Sequence, residues 1–348
     1  MKEKYALLKN IFLSNFNRLS SPYRLTYALT YRCNLTCKIC LIWKKRNSHE
    51  LSIYEIKRFF KRLNNLCWLD LTGGEITLRG DVEDVIDIII ENSPYLSILH
   101  LSTNGQIPEK ILSIAERILK HKRIVPIINV SLDGPERIND KLKGKTGAWR
   151  KSIETFNQLK TLPKGYYYLS YTISDYNLDC IRETFVELRE TLPRFHFSYL
   201  HFNMFHNSSH YYSNPHLNCF DKKDLRRIRG ILSLARCGNL VKYLLESVYL
   251  KGIKKYIRTN RNFIPCQALN SSCFLDPEGN IYPCGIYTHP IGNIRNSEYE
   301  LDRIWRCSKT LCLREKILKC SCPGCWSPCE IYPAILGSII KRGVKLWI

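Results

Sequence analysis

Three closely spaced cysteines are the residues of this chain best suited to metal chemistry. Cys33, Cys37 and Cys40 follow the spacing CxxxCxxC directly after a strand-like run. Thiolates bind soft metals and iron–sulfur clusters, and three of them this close in sequence can converge on a metal only from a tight loop. A closed zinc site needs a fourth ligand. The spacing therefore indicates a cluster with one open iron, with reduced structural cysteines or half of a zinc knuckle as the alternative.

The cysteine motif is the first of four motifs that follow one another at predicted strand ends. Leu69–Glu75 contains Thr-Gly-Gly-Glu, Leu99–Gly105 ends in Ser-Thr-Asn-Gly, and Val130–Gly134 contains Ser-Leu-Asp-Gly. Separately, each of these later motifs is ordinary turn chemistry. In this order, the four motifs resemble those of the radical S-adenosylmethionine (radical SAM) enzymes.

This resemblance implies a cofactor and a set of residues that hold it. The open iron of a [4Fe–4S] cluster on the three cysteines would bind S-adenosylmethionine (SAM). One electron would then release methionine and a 5′-deoxyadenosyl radical that abstracts hydrogen from the substrate. In family terms, Gly73 and Gly74 allow close backbone approach to the methionine end and Glu75 accepts from its amino group. The remaining implied SAM contacts are Ser102, Asn104, Ser131 and Asp133. No catalytic residue on the substrate side is assigned.

Strands and helices alternate through the first two hundred or so residues. Strands are predicted at 24–30, 67–71, 98–102, 125–132, 166–173 and 195–202, and helices at 52–64, 81–92, 108–121, 148–160 and 178–191. Such alternation predicts an α/β fold with parallel strands that bind ligands at their carboxyl ends. Six β/α units resemble the partial (β/α)6 barrel of radical SAM enzymes.

A second cysteine-rich region lies near the end of the chain. Cys266 precedes a predicted hairpin whose turn is at 276–279, and Cys284 follows that hairpin. Together with a late cysteine run, this resembles the SPASM or shorter twitch domains, which carry auxiliary clusters. No cysteine follows Cys329, as a two-cluster SPASM domain would require, so one auxiliary [4Fe–4S] cluster is expected. The expected ligands are Cys266, Cys284, Cys322 and Cys325, with Cys329, Cys320 and Cys273 as substitutes. A structural zinc at the same thiolates remains open.

The predicted architecture is thus α/β, a partial (β/α)6 barrel followed by a small cysteine-rich α+β domain. The predicted domains are an N-terminal arm or helix at 1–22, the barrel at 23–220, a helical linker at 221–258, the auxiliary-cluster domain at 259–332 and a basic amphipathic tail at 333–348. The polar, histidine-containing stretch 206–215 is interpreted as a loop or lid near the barrel mouth.

Net charge and cysteine content indicate which partners and which cellular compartment this chain favours. The 53 Lys and Arg against 31 Asp and Glu leave a net charge of +22, which attracts acidic peptides, nucleotides and anionic lipid surfaces. The 16 cysteines, in a chain without a signal peptide, favour a reducing cytoplasm over disulfides. Cytoplasmic, with a membrane-peripheral location as the alternative, is the predicted localisation.

The predicted function is a radical SAM oxidoreductase or transferase that acts on a peptide, slightly ahead of a small metabolite. It would draw electrons from a donor such as ferredoxin or flavodoxin. One alternative is a membrane-associated radical SAM enzyme that acts on a lipid or glycoconjugate, because the tail could form an interfacial helix. The other is a zinc-stabilised nucleic-acid-binding protein. Nucleic acid is not expected as a partner, because no RRM, KH or C2H2 pattern occurs.

Overall fold

The computed structural model describes residues 2–17, 19–45, 49–217, 240–259 and 261–342. The strands are β1 (Arg24–Ala28), β2 (Trp68–Thr72), β3 (Ile98–Thr103), β4 (Val125–Ser131), β5 (Tyr166–Ile173), β6 (Leu200–Met204), β7 (Ser272–Leu275), β8 (Asn280–Tyr282) and β9 (Gly292–Asn293). The helices are α1 (Lys2–Ser14), α2 (Ile53–Phe60), α3 (Val82–Glu91), α4 (Pro108–Leu119), α5 (Glu136–Lys143), α6 (Ala148–Lys160), α7 (Ile181–Thr191), α8 (Leu240–Thr259), α9 (Leu301–Trp305), α10 (Ser308–Leu318), α11 (Pro328–Leu336) and α12 (Ile339–Arg342).

Strands β1 to β6 form a parallel sheet in chain order. This confirms the α/β fold with six β/α units. Thr26, Asp70 and His100 are register partners on neighbouring strands, and all three line one cavity. His201 on β6 lines the same cavity, so the sheet curves around a common interior. The four motifs follow the carboxyl ends of β1, β2, β3 and β4 and therefore meet at one end of this cavity.

Helix α2 shows how the connecting segments attach to the sheet. Ile56, Phe59 and Phe60 form its buried face and belong to the main hydrophobic core. A capping box begins the helix: the Ser52 hydroxyl accepts from the backbone N–H of Glu55, and the Glu55 carboxylate accepts from the backbone N–H of Ser52 at 2.9 Å. These bonds satisfy amides that a helix start leaves unpaired.

The strand predicted at 195–202 begins later than expected. Phe197–Tyr199 forms a short 3-10 turn, and β6 starts at Leu200. The His196 side chain accepts a hydrogen bond from the backbone N–H of Ser198 at 3.2 Å and stabilises the turn. A local side-chain bond thus competes with the extended conformation that the aromatic residues favour.

The C-terminal region continues the same sheet. Strand β7 pairs parallel with β1, and the predicted hairpin is formed by β7 and β8, with β9 as a third, antiparallel strand. This pairing supplies the outer edge of β1 with hydrogen-bond partners.

The predicted boundary at 332/333 falls inside α11, whose Ala334 and Ile335 are buried. Half of the predicted linker, 221–239, and the end of the tail, 343–348, lie outside the described residues. Across the ranges that are described, no helix is long and apolar enough to cross a membrane.

A charged contact joins the barrel to the C-terminal region, and it yields a stability prediction. The Arg295 side chain donates to both carboxylate oxygens of Glu55, at 2.6 and 3.2 Å. These bonds lower the pKa of Glu55 to about 2, from an ordinary value of 4.5. A carboxyl whose pKa is lowered by folding stabilises the protein above its ordinary pKa, and this contribution disappears as the pH falls toward the lowered value.

We expect Glu55→Gln to lower the free energy of unfolding at neutral pH by about 1–2 kcal/mol, discounted for the partial exposure of Arg295. Urea unfolding of both proteins would measure this, and the difference should shrink below about pH 4. Glu298→Gln is the matched control, because Glu298 pairs with Arg303 at the surface. It should change stability by less than about 0.5 kcal/mol. Equal effects of the two substitutions at neutral pH would contradict the prediction.

Candidate functional site

The loop after β1 carries Cys33, Cys37 and Cys40, and all three line one cavity of about 650 Å³. The loop has little regular structure, and backbone bonds from elsewhere hold it. The amides of Thr36 and Lys38 donate to the last turn of α5 at 3.1 and 2.8 Å, to the carbonyls of Lys143 and Leu142 respectively. The thiols are therefore presented to the cavity by a loop that is anchored to the barrel.

Burial changes the acidity of these thiols. It raises the pKa of Cys37 to about 11 and that of Cys40 to about 12. It raises the pKa of Cys33 as well. Thiolates in this loop would therefore depend on a bound cation for stability, which suits a metal-cluster site.

Gly73 and Gly74 pack directly under the cysteine loop. The Gly74 amide donates to the Thr30 carbonyl at 2.7 Å, and the Glu75 amide donates to the Arg32 carbonyl at 2.8 Å. A Cβ at Gly73 would lie 2.4 Å from the Thr30 carbonyl oxygen, and one at Gly74 would lie 2.1 Å from that of Arg32. Gly73 also has φ +151°, which L side chains rarely adopt. Only glycine allows this close approach.

The Glu75 carboxylate lies behind the cavity wall, and the side chain is 1% exposed. It accepts from the backbone N–H of Asn104 at 2.6 Å and from the hydroxyls of Thr77 and Thr103 at 2.9 Å each. From the sequence, this carboxylate is expected to accept from the amino group of SAM, and that contact stays a prediction. Glu75 is not among the residues that line the cavity, and its oxygens accept bonds from neighbouring backbone and hydroxyl groups. In this geometry Glu75 holds the backbone of Asn104, which fits a role for Glu75 in positioning Asn104.

Ser102, Asn104, Ser131 and Asp133 all line the cavity, so the structure brings the predicted SAM contacts together. The side-chain amide nitrogen of Asn104 lies 3.8 Å from the Cys33 sulfur. Ser131 and Asp133 both accept from the buried ammonium of Lys143. Burial opposes the charge of Lys143, but the Asp133 carboxylate outweighs it and raises the pKa of Lys143.

Lys143 was missed in the sequence, where it is one basic residue among many. The only signal is its place at the end of a short helix after the Ser-Leu-Asp-Gly motif, followed by Gly144 at φ +67°. A Cβ at Gly144 would lie 2.1 Å from the Thr36 hydroxyl oxygen. The turn that ends α5 therefore packs against the cysteine loop.

The stretch 206–215, predicted as a loop or lid, forms part of the cavity wall and contacts the motif residues. The Tyr211 hydroxyl lies 2.7 Å from the Thr72 hydroxyl and donates to the Gly73 carbonyl at 3.3 Å. The Asn214 side chain donates to the Ile39 carbonyl at 2.8 Å. Burial lowers the pKa of His206 to about 4, so this neutral ring accepts from a backbone amide, that of Trp326. The stretch thus forms hydrogen bonds with both the cysteine loop and the Gly-Gly turn.

A buried ion pair lies deeper in the cavity. The Arg24 guanidinium donates to one Asp70 carboxylate oxygen at 2.7 Å, and the His100 ring nitrogen lies 2.8 Å from the other. Burial would raise the pKa of Asp70, but Arg24 and His100 hold it well below its usual range. Glu330 also lines the cavity, and burial raises its pKa to about 7. Sequence reasoning missed this group, although a charged residue inside a buried strand, as in Leu69-Asp70-Leu71, is a signal for it.

The C-terminal cysteines divide between two cavities. Cys266, Cys284, Cys322 and Cys325 line a second, small cavity, and these are the four first-choice auxiliary ligands. Cys329 instead lines the main cavity, next to Glu330 at the start of α11. Cys329 thus lies apart from the other four thiols, and its place among the ligands stays a prediction that this division does not favour. Cys320 is exposed, and Cys273 is buried in β7.

Both donor sets fit iron–sulfur clusters by their chemistry. Within the part of the chain that is described, no three His, Cys, Asp or Glu side chains are close enough to hold a single metal ion. A cluster does not need such closeness, since each cysteine binds a different iron. The main cavity adds room for a further ligand beside its three thiols, whereas the second cavity offers four thiols and little space.

The division of the cysteines leads to a prediction. We expect Cys325→Ser to remove most of the auxiliary iron, about four irons per chain, whereas Cys329→Ser keeps it. Anaerobic iron and sulfide analysis after reconstitution would measure this. Because both residues lie in the same short segment, Cys329→Ser controls for local disturbance. Iron loss in both variants to the same extent would return Cys329 to the ligand set.

Comparison with family models gives two matches. Residues 27–188 match the model described as the radical SAM superfamily, and residues 266–330 match SPASM, an iron–sulfur cluster-binding domain. The chain therefore contains a radical SAM domain followed by a SPASM domain. Its cofactors are accordingly SAM, the SAM-binding cluster and iron–sulfur in the SPASM domain, and the two cysteine sets lie inside the two matched regions.

Curated relatives match only in part. The antilisterial bacteriocin subtilosin biosynthesis protein AlbA of Bacillus subtilis is 26% identical over 155 residues, which cover 43% of this chain and 33% of AlbA. The mycofactocin maturase MftC of Mycolicibacterium smegmatis is 29% identical over 175 residues, which cover 47% of this chain and 41% of MftC. The alignments thus span less than half of either relative.

A solved structure resembles this radical SAM chain over most of its length. Streptococcus suis SuiB bound to SAM has a TM-score of 0.62 at 18% identity, with 89% of this chain and 76% of SuiB covered. SuiB bound to its precursor peptide SuiA has a TM-score of 0.63 at 17% identity, with 91% of this chain and 75% of SuiB covered. At this identity the likeness shows the shared fold.

Proposed function

We propose that this chain is a radical SAM enzyme that modifies a peptide by abstracting hydrogen from it inside the main cavity. The observation that carries the proposal is the cavity itself. It joins the three thiols of the cysteine loop, at one end, to the Arg24–Asp70 pair and Glu330, deeper in the barrel. A cofactor site and a space for substrate therefore share one cavity of about 650 Å³.

The bound cluster and SAM would supply a carbon radical that abstracts hydrogen. The residues of the chain provide its setting. Gly73 and Gly74 let the backbone approach closely, and Asn104 orients toward the Cys33 sulfur. The stretch 206–215 and the apolar lining exclude water, which protects a reactive species. The Arg24–Asp70 pair offers fixed polar groups to orient a substrate at the far end of the cavity.

Similar proteins and the net charge also support a peptide substrate. AlbA is named for the biosynthesis of a bacteriocin, MftC for mycofactocin maturation, and SuiB has been solved with a precursor peptide. The net charge of +22 suits an acidic peptide. No comparison supports the alternatives of a lipid or glycoconjugate substrate or of a nucleic-acid-binding protein, and a small metabolite remains the second candidate substrate.

The SPASM thiols lie close to the main cavity: the Cys266 sulfur is 4.0 Å from a carboxylate oxygen of Glu330, which lines that cavity. A cluster there would accept the electron left on the substrate, which favours an oxidation or cross-link. A ferredoxin or flavodoxin in a reducing cytoplasm would supply the first electron.

The test is an anaerobic assay of the reconstituted enzyme with SAM and dithionite. Short peptides encoded beside the gene would be added one at a time, and 5′-deoxyadenosine and peptide mass would be followed. We expect one peptide to raise 5′-deoxyadenosine formation and to change in mass. Asp70→Asn should lower the peptide-dependent part about tenfold or more and leave peptide-independent cleavage of SAM in place. A metabolite that stimulates the reaction when no peptide does would favour the small-molecule alternative.

A further inference from the structure

Helix α1 is attached to the barrel by one face only. Leu7, Ile11 and Leu13 pack against a small cluster that includes Tyr23 and Cys67, beside the amino end of β2. The Asn10 side chain adds a hydrogen bond to that of Asn65 at 2.9 Å. The inner face of α1 is thus fixed by packing and polar contacts, and the helix has a defined outer face.

The outer face carries large apolar side chains exposed to solvent. Tyr5 is 70% exposed, Leu8 65%, Phe12 54% and, in the following turn, Phe16 38%. Their spacing of three, four and four residues puts them on a single stripe along the helix. Isolated exposed apolar residues are common on soluble proteins, but a contiguous row of four marks an interaction surface.

Lysines border this stripe, and they indicate what covers it. Lys2 and Lys9 lie on one side of it and Lys4 on the other, and all three are exposed. Glu3, the acidic residue of α1, lies on the opposite side of the helix. Apolar residues between lysines are typical of a helix that lies in the plane of a membrane surface, where lysines reach anionic headgroups. A second copy of this chain would bring like charges together.

The end of α1 lies beside the main cavity. The Asn15 side chain donates to the Leu336 carbonyl and accepts from the Ile340 amide, at 2.9 Å each. Ile340 is 48% exposed, while Leu336 lines the cavity. Tyr166, at the amino end of β5, also lines the cavity and is 49% exposed, so the cavity reaches the surface at this end of the sheet.

We propose that the outer face of α1 binds the surface of an anionic lipid bilayer, as a helix lying in the plane of the interface. This contact places the amino end of the cavity beside the lipid. The proposal does not depend on the substrate of the enzyme, and its test reads lipid binding rather than activity.

The test is sedimentation of the full-length, cluster-loaded protein with vesicles. One set contains phosphatidylcholine and phosphatidylglycerol at about two to one, and the other contains phosphatidylcholine alone. We expect binding to the first set and at least about tenfold weaker binding to the second. Leu8→Glu/Phe12→Glu should weaken binding to the anionic vesicles by about tenfold or more, since it places carboxylates on the stripe.

Two pairs of matched variants control this experiment. Tyr54→Glu/Leu311→Glu alters exposed apolar residues elsewhere and should bind like wild type. Lys4→Gln/Lys9→Gln should bind more weakly than Lys57→Gln/Lys61→Gln, which removes two exposed lysines of another helix region. Iron content and melting temperature would verify that each variant is folded.

Three results would overturn the proposal. The first is no binding of wild type to anionic vesicles, and the second is equal binding by the Leu8→Glu/Phe12→Glu variant. The third is an oligomer of wild type that this variant alone converts to a monomer, because the stripe would then be a contact between copies of the chain.

Discussion

Replacement of Cys33, Cys37 and Cys40 together by alanine is expected to lower the iron content from about eight to about four per chain and to abolish 5′-deoxyadenosine formation. The reason is structural: these three thiols line the main cavity, while the four auxiliary thiols line another. Loss of one set should therefore leave the other loaded. Anaerobic iron and sulfide analysis, EPR spectroscopy and an assay for 5′-deoxyadenosine after dithionite reduction would measure the two effects.

The matched control removes three cysteines that line neither cavity, Cys180, Cys307 and Cys312. This triple variant should keep about eight irons and its activity. About twelve irons in wild type would restore a two-cluster SPASM domain. Zinc in place of iron, with no 5′-deoxyadenosine, would contradict the proposed chemistry altogether.

Gly74→Ala is expected to disrupt the cysteine loop with almost the smallest possible change. The added methyl group would lie 2.1 Å from the Arg32 carbonyl oxygen and 2.6 Å from that of Tyr31. Both atoms are backbone, so the loop itself must move. We expect a loss of about 2–4 kcal/mol in unfolding free energy, or loss of the iron held by this loop, with the auxiliary iron retained. Chemical denaturation and iron analysis would distinguish these results.

Gly80→Ala is the control, because a Cβ at Gly80 meets nothing within 4 Å. It should leave iron content unchanged and alter stability by less than about 1 kcal/mol. Full iron content and unchanged stability in the Gly74→Ala variant would show that the turn tolerates the side chain. The close packing of the Gly-Gly turn under the loop would then have no functional consequence.

Much of the site could be predicted because its residues follow strand ends. Ser102 and Asp133 are far apart in sequence, yet parallel strands in chain order bring their carboxyl ends to one cavity. The register between β3 and β4 makes this a consequence of the alternating pattern. The position of a residue at the end of a regular strand was therefore enough to predict its place in the site.

The residues that were missed hold the site from outside those elements. Lys143 binds Asp133 from the end of α5, and Tyr211 contacts Thr72 from an irregular loop. Their hydrogen bonds span from about ten to well over a hundred positions along the chain, and no periodicity predicts them. Glu75 shows the converse: its motif was recognised in the sequence, but only the structure shows that its carboxylate accepts from the backbone N–H of Asn104.

The sequence by itself determined the family, the order of the motifs and the α/β alternation, because cysteine spacing and strand periodicity are local properties of the chain. Only the tertiary structure decided how the late cysteines are shared, with Cys325 in the second cavity and Cys329 in the main one. It likewise decided that β7 extends the sheet beside β1 and that α1 leaves an apolar stripe exposed. These features depend on which surfaces the folded chain covers, and burial is set by packing between distant segments rather than by residue type.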